Sequence, residues 1–248
     1  MDLTAYLLAA FAVLLTGISK SGFAGGLGIL GVPLLALVMP AQAAVVLLLP
    51  ILLGIDLLSV WRYRRAGRAG VILALLPGAA FGIGLGFASL SHVDDGLLRL
   101  GIGVMALGFV ARFLWAGAPP AGSEPRAPWP LVFGASALSG FAGCIAHAGG
   151  PPIKGTFLRM GLDKAAFVGT NAVFFLMLNL FKAVGYGALG LFSTESLWAS
   201  ASLLPFLGIG VAVGFAMHDR VPQVLFGKIA YGLLALAGVN LVYLGLTG

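Results

Sequence analysis

Apolar residues run along this chain in blocks of about twenty, the length a helix needs to cross a ~30 Å hydrocarbon core. They fall at 3–19, 41–61, 69–90, 97–116, 130–146, 164–188, 196–217 and 222–246, with shorter ones at 27–38 and 150–160. At ~1.5 Å per residue the two short blocks cannot make a crossing. Each follows a glycine-rich stretch, "TGISKSGFAGGLGILGVP" (Thr16–Pro33) and "SGFAGCIAHAGGPPIKG" (Ser139–Gly155). The alternating segments of a membrane β-barrel are absent, so the pattern predicts an all-α transmembrane protein.

The polar punctuation divides the chain in two. "AGAPPAGSEPRAPWP" (Ala116–Pro130) is rich in proline, glycine and charge and reads as a linker. On this reading 1–116 is a first repeat, 117–129 a linker and 130–248 a second repeat, all within one membrane domain. "GFAG" occurs at 22–25 and again at 140–143. "LLPGAAFGIGLGFA" (75–88) aligns with "LLPFLGIGVAVGFA" (203–216), with seven of fourteen positions identical. Two matched blocks in the same order, 118 and 128 residues apart, point to an internal duplication.

Composition sharpens the class. The chain has 248 residues, 60% hydrophobic and 9% charged, against about 25% charged in soluble domains. Mean hydropathy is +1.08. The net charge of +6 does not point to nucleic acid, because the basic residues sit in short loops between apolar blocks. The loop "RYRRAGR" (Arg62–Arg68) carries four arginines and is placed in the cytoplasm. The loops at 91–95 and 193–196 then lie outside, and the linker and His218–Arg220 lie inside. This requires each broken segment, 3–38 and 130–160, to leave on the side where it began. Each half is then a glycine-broken helical hairpin plus three spanning helices. The halves are inverted repeats, a recurring transporter plan, with both termini outside. The start, Met1-Asp2-Leu3, lacks a positive n-region and reads as a first helix rather than a cleaved signal.

Candidate chemistry gathers at the two breaks. Backbone that leaves the helix at membrane depth must line a cavity or be buried in protein. Half-helix N-termini there present free N–H groups and a positive dipole end to an anion. Gly22, Gly25, Gly26 and Gly28 serve the first break; Gly149 and Gly150 serve the second. Lys20 adds a full charge beside the first nest; its blander role is to snorkel to the interface. Ser19 and Ser21 can donate to an oxyanion or bond their own backbone. His147 can bind the anion or carry a proton, and Lys154 lies one turn into the second short arm. Asn171 can contact substrate or join two helices. Asp56, His147 and Lys182 are the candidates for coupling, since ionisable residues inside a membrane are functional by default. Asn179 and Asn240 are the other polar residues within the spans. Gly78, Gly82 and Gly86, like Gly210 and Gly214, have the spacing of close helix packing. The single cysteine, Cys144, reads as a packing residue. No catalytic constellation, metal-ligand set or cofactor motif is present, so no enzyme activity, metal or cofactor is expected.

"GFAGGLGILGVPLL" and "LSGFAGCIAHAGGPPIKGTFLRMGLDKAAFVGTNAVFF" resemble the TauE/SafE sulfite exporter family, along essentially the whole chain. The resemblance implies a multi-pass transporter of the bacterial inner membrane. Its substrate would be a small anion such as sulfite or an organosulfonate. The family's glycine-rich motifs fall on Gly22, Gly25, Gly26, Gly28 and Pro33, and on Gly140, Gly143, Gly149, Gly150 and Pro152. Cys144 and His147 depart from that pattern. The expectation is a secondary transporter exporting a sulfur-containing anion by alternating access, the anion held at two half-helix N-termini near the midplane. An anion channel, or an importer of a related organosulfur compound, is the alternative. The expected partners are the small anion and the lipid bilayer, with no nucleic acid and with a homodimer left open. An intramembrane enzyme would need a nucleophile and base at depth, and a structural subunit would leave the duplicated breaks unexplained.

Overall fold

A computed structural model describes residues 3–22, 28–63, 65–115, 128–160, 162–217 and 223–247. Every regular element among them is helical: α1 (Leu3–Gly22), α2 (Gly31–Leu35), α3 (Ala41–Tyr63), α4 (Ala69–His92), α5 (Asp95–Trp115), α6 (Trp129–Ala146), α7 (Gly150–Arg159), α8 (Lys164–Ala188), α9 (Thr194–Met217) and α10 (Gln223–Thr247). Eight of these are long and apolar enough to cross a membrane; α2 and α7 are not. The first short arm is smaller than its apolar run, a 3₁₀ turn at Gly28–Leu30 followed by the five residues of α2.

Small residues decide how the helices meet. A Cβ on Gly82 of α4 would strike the backbone of Ala137 in α6, and one on Gly140 would strike Ala79. A Cβ on Gly210 of α9 would strike the Leu14 carbonyl of α1, and one on Gly17 would meet the Leu207 carbonyl. The backbones of α4 and α6, and of α1 and α9, therefore touch directly, as small residues allow in apolar surroundings. The α5 and α10 helices form a third extensive contact, and α3 crosses α8.

Hydrogen bonds fix which helix ends share a level. The Tyr6 hydroxyl near the start of α1 donates to the Ser202 carbonyl early in α9 at 3.2 Å. At the start of α3, the Ala41 N–H donates to Asp95 at 2.7 Å, and Gln42 donates to the Leu90 carbonyl at 3.0 Å. Arg99 bonds Asp95 at 2.6 Å and reaches the Met39 carbonyl at 3.2 Å. So the chain leaves α1 and α2 at the level of the α4–α5 turn. At the other end, the Arg68 N–H donates to Thr170 at 3.0 Å, and the Arg68 side chain lies 3.8 Å from Asp163. Asp163 also caps α8 by accepting from the Ala166 N–H at 2.8 Å. The α7 arm thus returns to the level of the arginine loop.

Candidate functional site

The second "GFAG" is helical, and α6 continues through it to Ala146. The turn comes at His147, which adopts a left-handed backbone with φ of 51°. The Ala148 N–H then donates back to the Ala142 carbonyl at 3.0 Å, closing α6 in the manner usually managed by glycine. This geometry turns the imidazole inward against α3 and α8. Ser139 donates to the Gly149 carbonyl at 2.7 Å and pins the far side of the turn.

Four helices contribute to one polar chain between the breaks. Lys20, in the last turn of α1, donates to Asp56 Oδ1 of α3 at 2.5 Å. The other carboxylate oxygen accepts from Asn179 of α8. One turn on, Lys182 donates to the Gly143 carbonyl and to His147 Nδ1, both at 2.8 Å. His147 Nε2 donates to the Val45 carbonyl of α3 at 2.8 Å. An ammonium donating to Nδ1 leaves the proton on Nε2, so these contacts describe a neutral imidazole. Asp56, Asn179 and Lys182 are buried. The chain runs from the first hairpin to the tip of the second.

Helical spacing explains the α8 share. Asn171, Phe175, Asn179, Lys182 and Tyr186 recur every three or four residues and occupy one face. The upper part of that face caps α6, with Lys182 on the Gly143 carbonyl and the Tyr186 hydroxyl on the Cys144 carbonyl at 2.6 Å. A cation there also answers the negative end of the α6 dipole. The lower part is unfinished: Asn171 Oδ1 is buried and has no hydrogen-bond partner among the described residues.

Several expected site residues join this assembly and others stand apart. Lys20 does not reach for the interface but pairs with Asp56. Asp56 and Lys182 are not direct partners, although Lys182 lies within range of the charges on Asp56 and Lys20. Ser19 is buried near the end of α1, and Gly22 ends that helix. Gly28 opens the 3₁₀ turn. The Ser21 side chain, Gly25 and Gly26 lie outside the described residues. Gly149 and Gly150 frame the start of α7, where Pro151 and Pro152 have no N–H to offer. Lys154 lies on α7, apart from the polar chain. Ile29, Pro33, Ala146 and Ala148 share one apolar seam with Ile102 and Leu234, too narrow for water. A cleft of about 540 Å³ opens beside Arg68, Met160 and Asp163. Among the described residues no cluster of three or more histidine, cysteine or acidic side chains is placed to hold a metal.

Sequence reasoning named Asn179 only as a polar residue in a span and passed over Tyr186, Ser139 and Val45. The spacing of α8 was available as a signal for Asn179 and Tyr186. Val45 contributes a carbonyl, which no residue type announces.

The family model for sulfite exporter TauE/SafE matches residues 9–241. The chain belongs to the TauE/SafE family. No curated protein and no solved structure matches it. As a TauE/SafE protein with eight candidate spans among its described residues, it is a multi-pass membrane transporter. That placement is in keeping with the bacterial inner membrane and with transport rather than catalysis. The family match covers both breaks and every helix that contributes to the polar chain.

Proposed function

We propose that this TauE/SafE protein is a secondary transporter that exports a small sulfur-containing anion, sulfite or an organosulfonate, by alternating access. The observation that carries this reading is the chain Lys20–Asp56–Asn179–Lys182–His147, which ties the first hairpin to the tip of the second. In it two lysines and one carboxylate share a buried polar chain. The anion binds between Lys20 and the second break, where the α7 N-terminus adds its dipole and the Gly149 and Gly150 N–H groups. Ser19, and Asn171 with an oxygen that has no partner among the described residues, complete the polar lining.

The two halves act as inverted repeats. The α1–α9 contact exchanges with α6–α4 when α1 to α5 are swapped with α6 to α10, while α3–α8 and α5–α10 map onto themselves. Rocking one half against the other would open the Ile29–Ala146 seam on alternate sides. An interior-negative potential drives anion exit with ~2.3 kcal/mol per charge per 100 mV.

Purified protein in liposomes tests the proposal. Labelled sulfite and labelled sulfoacetate should show saturable counterflow, and net efflux should rise with an imposed potential. Flux that neither saturates nor exchanges would support the channel instead, and absence of flux for every sulfur anion would overturn the substrate class. Light scattering on the same preparation reads whether the working unit is one chain or a homodimer.

A further inference from the structure

Lys20 is the cation best placed to meet an anion, yet its ammonium is already occupied. We propose that Asp56 is a built-in stand-in for the transported anion: it neutralises Lys20 when the carrier is empty and gives it up when substrate arrives. This rests on the anion-transport reading above.

Three observations converge on the role. The Lys20 side chain is 20% exposed and that of Asp56 is 5% exposed, so the open side of the pair belongs to the lysine. An incoming anion therefore meets the ammonium first. Lys20 is the mobile partner, a flexible four-carbon stem at the last turn of α1 beside the break. Asp56 is the fixed partner, since Asn179 of the other half holds its second oxygen. When Lys20 turns to substrate, the carboxylate keeps the Asn179 bond and the field of Lys182. Neither charge is stranded in either state. Among the described residues the remaining carboxylates, Asp94, Asp95, Asp163 and Glu195, lie at helix ends, so Asp56 alone can serve.

The consequence is a division between two kinds of flux. A buried lysine without a counter-charge is strongly destabilised. An empty carrier must reorient with Lys20 inside, and the Asp56 pair lets it do so. The loaded carrier has the substrate in that place. Asp56 is thus required for return of the empty carrier and not for exchange of one anion for another. It also weakens apparent affinity: if it occupies Lys20 about 90% of the time, removing it tightens binding about tenfold.

The test uses the full chain in liposomes and in detergent, with sodium sulfite and sodium sulfoacetate as probes. Asp56→Asn should bind whichever anion the wild type binds about tenfold more tightly, keep anion-for-anion counterflow, and lose most net efflux. Lys20→Met should lose the binding. Asn179→Ala keeps the ion pair but removes the donor that satisfies Asp56 once Lys20 has left, so it should weaken binding several-fold; it decides the matter if Asp56→Asn does not fold. Equal or weaker binding in a folded Asp56→Asn, equal or tighter binding in a folded Asn179→Ala, or counterflow and net efflux falling together in Asp56→Asn, would overturn the stand-in role and leave anion transport intact. Failure of wild type and all variants to bind or move either anion would overturn the transport reading, and this proposal with it.

Discussion

Lys182 holds the end of α6 through two acceptors, the Gly143 carbonyl and His147 Nδ1. Lys182→Met fills similar space and strands both. Each unsatisfied buried acceptor costs ~1–3 kcal/mol, so the variant should lose about 2 kcal/mol or more. Unfolding in mixed micelles with rising sodium dodecyl sulfate measures this. Lys154→Met, outside the polar chain, should lose less in the same titration. Tyr186→Phe frees only the Cys144 carbonyl and should cost ~1 kcal/mol. His147 is legible in the sequence as a polar residue in a glycine-rich break. Its left-handed backbone is not, because a glycine would normally stand there and two follow close by, at 149 and 150. The Lys20–Asp56 pair is equally hidden: the partners are 36 positions apart on separate helices, and nothing local joins them.

At the scale of the element, glycines on one helix divide into two kinds. Gly82 and Gly210 lie against the backbone of a neighbouring helix, while Gly84 and Gly208 face open space. Gly82→Val and Gly210→Val should therefore abolish folding or membrane yield. Gly84→Ala and Gly208→Ala should express like the wild type, with helix propensity gaining by up to ~1 kcal/mol. Fluorescence-detected size exclusion on the four variants checks the contrast. The four-residue spacing of these glycines announces close packing. It does not name the partner, since α4 meets α6 and α1 meets α9 across more than fifty positions of chain. The length of the long helices was readable because hydrocarbon thickness sets it. The first short arm was not, because glycine and proline interrupt its apolar run and leave the five residues of α2 helical.

For the whole molecule, the arginine loop and the α7–α8 turn share one level, and the α4–α5 turn shares the other with the start of α3. In a Cys144→Ser background, Arg65→Cys should be shielded from a membrane-impermeant maleimide in intact cells, whereas Asp94→Cys and Ser193→Cys should react. The opposite labelling would reverse the orientation read from the arginines. That orientation depends on a handful of charges, and the polar chain joins residues far apart in the sequence, which no local pattern announces. The meeting of Asp56 with Asn179 carries a last consequence. The two positions lie 123 apart, between the two repeat offsets, and so are mates on the proposed duplication. Identical half-length chains assembled as a dimer would bring Asp against Asp, two like charges in contact, or Asn against Asn, with no counter-ion for Lys20. One copy can keep the acid and the other the amide only once the two are encoded separately, whether in one fused chain or in two diverged ones. On this view the pair marks the point past which a single half-length gene, used twice, no longer suffices.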